Sequence, residues 1–355
     1  MAKYRFEEIA INSTAKKKPV EDDKYTYLGL EHLDPGTLKV TRFGSEVAPI
    51  GEKLIMKKGD VLFGKRRAYQ KKVAIAPFDG IFSAHGMVLR PKTDVIDPDF
   101  FPLFISSDYF LDAAIAISVG SLSPTINWKD LKNLEFELPD LETQKQLAKL
   151  LWSMQETIES YKDLIIKTDE LVKSEFTELL GNDFICREFI SVLQYLPKSS
   201  LNASEGKDVG KYPFFTSSLE QTKKCDEYLY DDECLIIGNG GVANVQYYKG
   251  RFSCGNHSFV VKSNDSTLLT RFVYCYFLSN MQVLQEGFRG VGIQNISKEY
   301  INKLMIPVPK MCIQLKIVNI FDQSDKSKFN LQKAIEELKV TYKKILKDGL
   351  EIKED

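Results

Sequence analysis

The feature that most constrains this chain is an internal repeat with a period of 170 residues. LKNLEFELP at 131–139 aligns with INKLMIPVP at 301–309, and each segment has the pattern of a short apolar strand that ends at proline. Further pairs at this offset, or within two residues of it, are Gly80 and Gly250, Ile126 and Ile296, His85 and His257, and 118–120 and 290–292. A repeat of this kind indicates two copies of one structural unit, at about 1–181 and 182–355.

A long segment with almost no glycine or proline follows each proline-ended strand, which is typical of a helix. Apolar residues recur in steps of four and three in both segments, in the same register. They are Leu147, Leu151, Met154, Ile158, Tyr161, Ile165, Val172 and Leu179 in the first, and Ile317, Phe321, Leu331, Ile335, Leu338, Tyr342 and Ile345 in the second. Two matching heptad series favour a coiled coil between the helices over packing of each helix on its own domain. Polar residues interrupt the series at Thr168, Glu175, Ser324 and Lys328.

The remaining segments are rich in glycine, aromatic and β-branched residues, with strand-like runs such as VQYY at 245–248 and SFVVK at 258–262. Each segment is therefore predicted to be a compact α+β domain. The predicted fold has two pseudo-twofold-related globular domains separated by two long antiparallel coiled-coil helices. The predicted boundaries are 1–140 and 182–309 for the domains, and 141–181 and 310–355 for the helices.

Composition supports a soluble globular protein, since 43% of the residues are hydrophobic and 27% are charged. No apolar run is long enough to span a bilayer and the N-terminus lacks a signal-peptide pattern, so we expect a cytoplasmic protein. The six cysteines form no C-x-x-C pair and are expected to be free thiols, most of them buried. A zinc site from Cys225, Cys234, Cys254 and His257 is a weak alternative because its spacing fits no familiar zinc pattern.

The motifs of several enzyme classes are missing. The sequence has no G-x-x-x-x-G-K-[ST] phosphate cradle, and GKRR at 64–67 lacks that spacing. It also has no Asx-Pro-Pro-aromatic tetrapeptide, the element with which amino-methyltransferases hold a flipped base. There are three histidines and neither a G-x-S-x-G nor an H-E-x-x-H motif. We therefore predict a chain without a catalytic centre, metal ion or cofactor of its own.

Two acid-free stretches have the composition of a DNA-binding surface. No acidic residue occurs from Val61 to Phe78 or from Cys234 to Asn264. Cationic side chains neutralise phosphates, and Arg, Asn and Gln can distinguish bases in the major groove. The candidate DNA-binding residues are Lys65, Arg66, Arg67, Tyr69, Gln70, Lys71, Lys72, Asn239, Asn244, Gln246, Tyr247, Lys249 and His257. The alternative is that the lysines are ordinary surface residues and that Asn244 and Gln246 only stabilise a turn.

Several strings carry a resemblance to a known family: KYPFFTSS at 211–218, LIIGNGG at 235–241, YYKGRFSCGNHSFVV at 247–261, and the helix starts LETQKQLAKLL and MCIQLKIVNIF. With the two proline-ended strands, they make the chain resemble the DNA-specificity (S) subunit of type I restriction-modification systems. The resemblance covers nearly the whole chain in the order target-recognition domain, helix, target-recognition domain, helix. The first domain departs from it, having GKRR in roughly the place of GNGG.

The resemblance implies a non-catalytic subunit in which each target-recognition domain recognises one half of a split double-stranded DNA target. It implies paired helices that hold the domains apart and dock two methyltransferase (modification) subunits. S-adenosylmethionine is then expected in the partner methyltransferase, and endonuclease (restriction) subunits are a further partner left open. A stand-alone tandem DNA-binding protein, or an antagonist of such a complex, is the alternative.

Overall fold

The structure of the protein, a computed structural model, describes residues 1–218, 221–292 and 294–350. The chain divides into two units, Met1–Ser160 with Ala334–Asp355, and Tyr161–Lys333. Each unit therefore contains a globular part and one stretch of each long helix. Among the described residues, no helix combines the length and apolar character needed to cross a membrane.

The first unit opens with short strands and ends with helices. Its strands are β1 (Ala2–Arg5), β2 (Ala10–Ser13), β3 (Lys16–Lys17), β4 (Tyr27–Leu28), β5 (Lys53–Met56), β6 (Val61–Phe63), β7 (Val73–Ile75), β8 (Gly80–Phe82), β9 (Met87–Pro91) and β10 (Glu135–Leu138). Its helices are α1 (Phe6–Ile9), α2 (Phe100–Ser106), α3 (Asp108–Ala116), α4 (Trp128–Leu131) and the long α5 (Leu141–Leu180), which continues into the second unit.

The strands of the first unit form sheets in the orders β2-β9-β6-β7 and β3-β5-β8-β4. The proline-ended strand β10 pairs antiparallel with β1, with Ala2 opposite Leu138. Buried phenylalanines dominate the core, where Phe6, Phe104 and Phe136 pack edge to face. This aromatic cluster fixes α1, α2 and β10 to one another, since ring pairs add stability beyond the burial of their area.

The second unit has longer strands. They are β11 (Phe184–Glu188), β12 (Leu193–Tyr195), β13 (Tyr212–Phe215), β14 (Lys223–Cys225), β15 (Tyr230–Gly238), β16 (Val245–Cys254), β17 (Ser258–Ser263), β18 (Phe288–Arg289), β19 (Asn295–Ile296) and β20 (Met305–Pro309). The helices are α6 (Phe189–Val192), α7 (Thr270–Ser279), α8 (Gln282–Gln285), α9 (Lys298–Asn302) and the long α10 (Met311–Gly349), which continues into the first unit. The predicted strands at 245–248 and 258–262 lie in β16 and β17.

The main sheet of the second unit has the order β12-β17-β15-β16-β13-β14. Side chains alternate between its faces, so Leu235 and Ile237 enter one core while Cys234 and Ile236 enter another. The prediction of mostly buried free thiols is confirmed, because only Cys186 and Cys312 are exposed. No group of three or more potential metal ligands lies within the described residues.

The two units share the arrangement that the repeat predicts. Strand β20 pairs antiparallel with β11 as β10 pairs with β1. Phe6 and Phe189 are both fully buried, and their backbone N–H groups donate to Leu134 O and Leu304 O, each at 2.8 Å. In each unit, a hydrogen bond therefore joins the helical turn after the first strand to the residue before the proline-ended strand. This shared arrangement confirms the predicted duplication.

The long helices pack against each other antiparallel within each unit. In the second unit, Phe176 meets Phe321 at 6.2 Å between ring centroids, and Lys328 Nζ lies 2.7 Å from Asp169 Oδ1. In the first unit, Leu147 contacts Gly349, where an added Cβ would lie 2.7 Å from a leucine methyl group. All the predicted heptad residues are buried or half-buried, which confirms the coiled coil. The interruption at Lys328 forms an ion pair across the two helices and thereby favours one register.

The observed helices give bounds close to those predicted, since α5 ends one residue before Gly181 and α10 covers 311–349. Gly181 has φ +56° and its N–H donates to Thr177 O, which is how a left-handed glycine ends a helix. The assignment of the four predicted ranges to recognition domains and spacer helices stays a prediction.

Candidate nucleic-acid interface

The first candidate stretch forms a tight loop between β6 and β7. A single 3-10 turn, Ala68–Gln70, lies between Arg67 and Lys71, which have φ +53° and +48°. Left-handed backbone is unusual for residues with a Cβ atom, so the surrounding contacts determine this conformation. Tyr69 is exposed and Gln70 is half-buried. The loop thereby presents cationic and aromatic groups together.

Three cations of this loop have no carboxylate partner among the described residues: Lys65, Arg66 and Arg67. Arg66 and Arg67 are exposed, whereas Lys65 is half-buried. Burial, and secondly the charge of Lys16, lower the pKa of Lys65. Both causes act against the protonated form, and no described carboxylate offsets them.

The next two cations are already engaged. Lys71 Nζ lies 2.7 Å from Asp108 Oδ1 and 2.6 Å from Asp112 Oδ1, both on α3. Lys72 Nζ donates to the carbonyl oxygen of Leu30 at 2.6 Å. Lys71 and Lys72 therefore hold the loop to its own unit. The cations at 65–67, in contrast, are available to a ligand.

His85 belongs to the same surface, although it was not among the candidates from the sequence. Its Nε2 lies 3.5 Å from Arg66 Nη1. Partial burial lowers the pKa of His85, and the charges of Arg66, Lys65 and Lys53 lower it further. The repeat identifies His85, because it aligns with the candidate residue His257.

In the second unit, the candidates near the end of β15 are Asn239, Asn244, Gln246 and His257. Asn239 N donates to His257 O at 3.0 Å, which brings the loop after β15 against the loop before β17. His257 is exposed. Asn244 is only 3% exposed, and its amide donates to Ser217 O at 2.7 Å and Val242 O at 3.0 Å. Asn244 therefore stabilises a turn in this structure, and its part in DNA binding stays a prediction.

Gln246 acts on the same segment as Asn244. Its amide donates to Ser218 O at 2.7 Å, one residue beyond the carbonyl group that Asn244 contacts. Together the two amides hold 217–218 against the start of β16. Both side chains therefore stabilise the position of this loop.

Tyr247 and Lys249 lie apart from the other candidates of the second unit. Lys249 Nζ is 3.4 Å from Glu233 Oε2, and the guanidinium of Arg271 stacks 4.7 Å from the ring centroid of Tyr247. With Asp322 of α10 they line an open cleft of about 400 Å³. Tyr247 and Lys249 are separated from Gln246 because alternate residues of a strand face opposite sides of its sheet.

The basic loop of the first unit and the GNGG loop of the second unit have equivalent backbone partners. Ile126 N donates to Lys65 O at 2.9 Å, and Ile296 N donates to Asn239 O at 3.0 Å. Arg66 N donates to His85 O at 3.3 Å, and in the second unit the donor to His257 O is Asn239 N, one residue earlier in the aligned loop. GKRR and GNGG thus occupy corresponding places in the two units, as their sequence positions predicted, but present different chemical groups.

The comparison with protein families supports this duplicated arrangement. The sequence profile of the family described as "Type I restriction modification DNA specificity domain" matches residues 8–168 and again residues 190–339. The two matches cover most of the chain and place one copy in each half.

Two curated relatives carry the same family description in their names. The chain is 25% identical over 386 residues to the putative type I restriction enzyme MjaX specificity subunit of Methanocaldococcus jannaschii, covering 96% of this chain and 89% of that protein. It is 27% identical over 165 residues to the type I restriction enzyme EcoDI specificity subunit of Escherichia coli, covering 46% of this chain and 36% of that protein.

Solved structures show the same fold at lower identity. The crystal structure of the type I restriction-modification S subunit from M. genitalium matches with TM-score 0.62 and 16% identity, over 98% of this chain and 95% of that one. A chain from a study of complex assembly and conformational transition of the type I R-M system matches with TM-score 0.63 and 17% identity, over 98% and 97%. From its two family matches, one in each half, the chain belongs to the type I restriction-modification DNA specificity family.

Proposed function

We propose that this chain is the DNA-recognition subunit of a type I restriction-modification complex, and that each unit recognises one half of a split double-stranded target. The observation that carries the proposal is the pair of loops at 64–67 and 238–241, held by equivalent backbone bonds in the two units. Because the loops occupy corresponding places but differ in sequence, the two half-sites are expected to differ in sequence too.

The chemical groups of the first loop fit DNA. Lys65, Arg66 and Arg67 lie within three consecutive positions and have no carboxylate partner in the described part of the chain. Phosphate contacts position a protein on the duplex, and arginine can also bond to the O6 and N7 atoms of guanine. In the second unit, Asn239 and His257 offer amide and imidazole groups, so the second half-site depends less on cationic contacts.

The proposal assigns methyl transfer to a partner methyltransferase that binds S-adenosylmethionine. It is supported by the missing phosphate cradle and base-clamping tetrapeptide in the sequence. The purified chain is expected neither to methylate nor to cut DNA. Transfer of labelled methyl groups from S-adenosylmethionine by the chain free of methyltransferase would contradict this part of the proposal.

Apolar residues on the outer faces of the long helices support docking of two methyltransferase subunits. Leu164 and Leu171, both on the part of α5 in the second unit, are 49% and 60% exposed, and their spacing of 7 residues places them along one face. On α10, Phe329 is 65% exposed and Val340 is 67% exposed. Exposed apolar side chains that the helix pair does not use are suited to a protein partner. Leu164→Glu with Leu171→Glu should abolish co-purification of the methyltransferase while isolated DNA binding persists.

The proposed division is two target-recognition domains, 1–140 and 182–309, and two spacer helices, 141–181 and 310–355. The 40 residues of α5 correspond to about 60 Å of helix at 1.5 Å per residue. We propose that the helices act as a ruler for the unread spacer between the half-sites. Adding one heptad to both helices should lengthen the preferred spacer while both half-site sequences persist; an altered half-site sequence would contradict the ruler.

The decisive experiment is co-expression with the methyltransferase followed by sequencing of the methylated genome. A split motif, with methylation that depends on this chain, is the expected result. Sequence-specific binding by the chain alone, without association with a methyltransferase, would favour the alternative of a stand-alone tandem DNA-binding protein. Inhibition of an active methyltransferase complex would favour an antagonist.

A further inference from the structure

Each unit carries an exposed aliphatic side chain at the tip of a short loop. In the first unit the loop follows α3, and Leu122 is 92% exposed. In the second unit the loop joins β18 to β19, and Val291 is as exposed as a side chain in an open chain. A lone exposed valine needs no explanation, but the same feature in both copies of a duplicated unit does.

The two loops are built alike. Val119 and Thr125 exchange backbone hydrogen bonds of 3.0 and 2.9 Å, which closes a five-residue tip around Leu122. Arg289 pairs with Asn295 across β18 and β19, and Val291 follows β18 by two residues. Glycines with positive φ lie in both tips, among them Gly120 at +111° and Gly292 at +88°. Backbone pairing at the base of each loop, and glycines with left-handed backbone within it, allow the chain to turn sharply at each tip.

Both tips are tied to the loops proposed to contact DNA. Ala68 N donates to Pro124 O at 3.2 Å, which joins the first tip to the basic loop. Gly241 N donates to Gln294 O at 2.9 Å, which joins the second tip to the GNGG loop. A duplex that the cations at 65–67 draw to the first unit would therefore meet Leu122 as well.

Unlike the neighbouring GKRR and GNGG loops, the two tips have similar side-chain chemistry in both units. GKRR and GNGG differ between the units, whereas both tips present an aliphatic group. A part that both units share should contact a feature common to both half-sites, and the apolar feature of every duplex is the base stack. Aliphatic side chains of DNA-binding proteins can wedge between base pairs and unstack them.

We propose that Leu122 and Val291 are wedges, each of which unstacks a base step in the half-site bound by its own unit. The inference rests on the proposed DNA recognition and adds a role that is independent of sequence. Enzymes that modify a base must take it out of the stack, and local unstacking lowers the cost of that step. The wedges would thereby prepare each half-site for a partner methyltransferase.

The test uses the complex with its methyltransferase and target duplexes that carry 2-aminopurine at successive adenine positions of each half-site. Its fluorescence rises when the base is unstacked. The wild-type complex should raise the emission in both half-sites. Leu122→Ser should return the first half-site to the level of free duplex and leave the second unchanged, and Val291→Ser should do the converse. Val209→Ser is the matched control, since Val209 is 81% exposed in the second unit outside the tip.

The outcomes separate this inference from the proposed function. Specific binding without increased emission in wild type, or emission unaffected by both serine variants, would overturn the wedges and leave DNA recognition intact. Absence of specific binding by the wild-type complex would instead overturn the proposed function. Selected-site sequencing adds a second readout: both serine variants should retain the wild-type sequence preference, and a changed preference would show that the tips recognise bases.

Discussion

Gln144 and Gln314, 170 residues apart in sequence, make the same three hydrogen bonds in the two units. Gln144 Oε1 accepts from Asp97 N at 2.8 Å, and its amide donates to the carbonyl oxygens of Val95 and Pro139. Gln314 Oε1 accepts from Leu269 N at 2.9 Å, and its amide donates to those of Thr267 and Pro309. Both side chains are almost completely buried. Each glutamine joins the first turn of a long helix to the globular part of the same unit.

Replacing Gln144 by Leu should destabilise the first unit. The change leaves the Asp97 N–H and two carbonyl groups without a partner, and each buried unsatisfied group costs about 1–3 kcal/mol. We expect the free energy of unfolding to fall by about 3 kcal/mol in urea titrations. Gln146→Leu is the control, because Gln146 is exposed and bonds only to Glu142 on its own helix. An equal effect of both substitutions would contradict this role.

The salt dependence of DNA binding should distinguish Arg66 and Arg67, which have no described carboxylate partner, from Lys71, which already forms ion pairs. Arg66→Ala and Arg67→Ala should each reduce the slope of log affinity against log salt by about one, because each phosphate contact releases a counterion. Lys71→Ala should change the slope less, since Asp108 and Asp112 already neutralise this lysine. A larger slope change for Lys71→Ala than for the arginine variants would show that Lys71 leaves its carboxylates for DNA.

Binding by the first unit should strengthen as the pH falls. The pKa of His85 lies below its ordinary value of about 6.5, so the imidazole is neutral in the free protein at pH 7. A nearby phosphate favours the protonated ring and raises that pKa, so binding takes up a proton. Affinity should therefore increase between pH 7 and pH 5.5 and level off once the free protein is also protonated. His85→Gln should remove this dependence; an unchanged pH profile would place His85 away from DNA.

Loop position should control specificity in the second unit. Asn244→Ala with Gln246→Ala is expected to relax the sequence preference in one half-site only, because both amides hold 217–218. Selected-site sequencing of the assembled variant complex measures this, and Gln285→Ala is a comparison because the Gln285 side chain accepts from Ala243 N and makes no described hydrogen bond to 217–218. Unchanged preference in a folded variant would show that these amides take no part in recognition.

The duplication, the α+β class and the paired helices could be predicted from the sequence. The repeat and the heptads are visible in the order of the residues, without knowledge of contacts between distant parts of the chain. The engagement of Lys71 could not, since it depends on Asp108 and Asp112, which approach only when α3 packs beside the basic loop. The sequence predicts a strand at 245–248, but the partners of its two faces, Arg271 for Tyr247 and the backbone of Ser218 for Gln246, are known only from the structure. Asn244 and Asn239 are chemically alike in the sequence, and only burial distinguishes the amide that holds a turn from its half-buried neighbour.

Recognition by two independent units can be measured by sequencing the methylated genome of cells that express this chain with its methyltransferase, either as wild type or with the Asn244→Ala and Gln246→Ala changes. Wild type should give a motif of two specific parts around an unread spacer, and the variant should relax one part while the other part and the spacer stay unchanged. A continuous motif in wild type, or simultaneous change of both parts in the variant, would contradict recognition by two independent units.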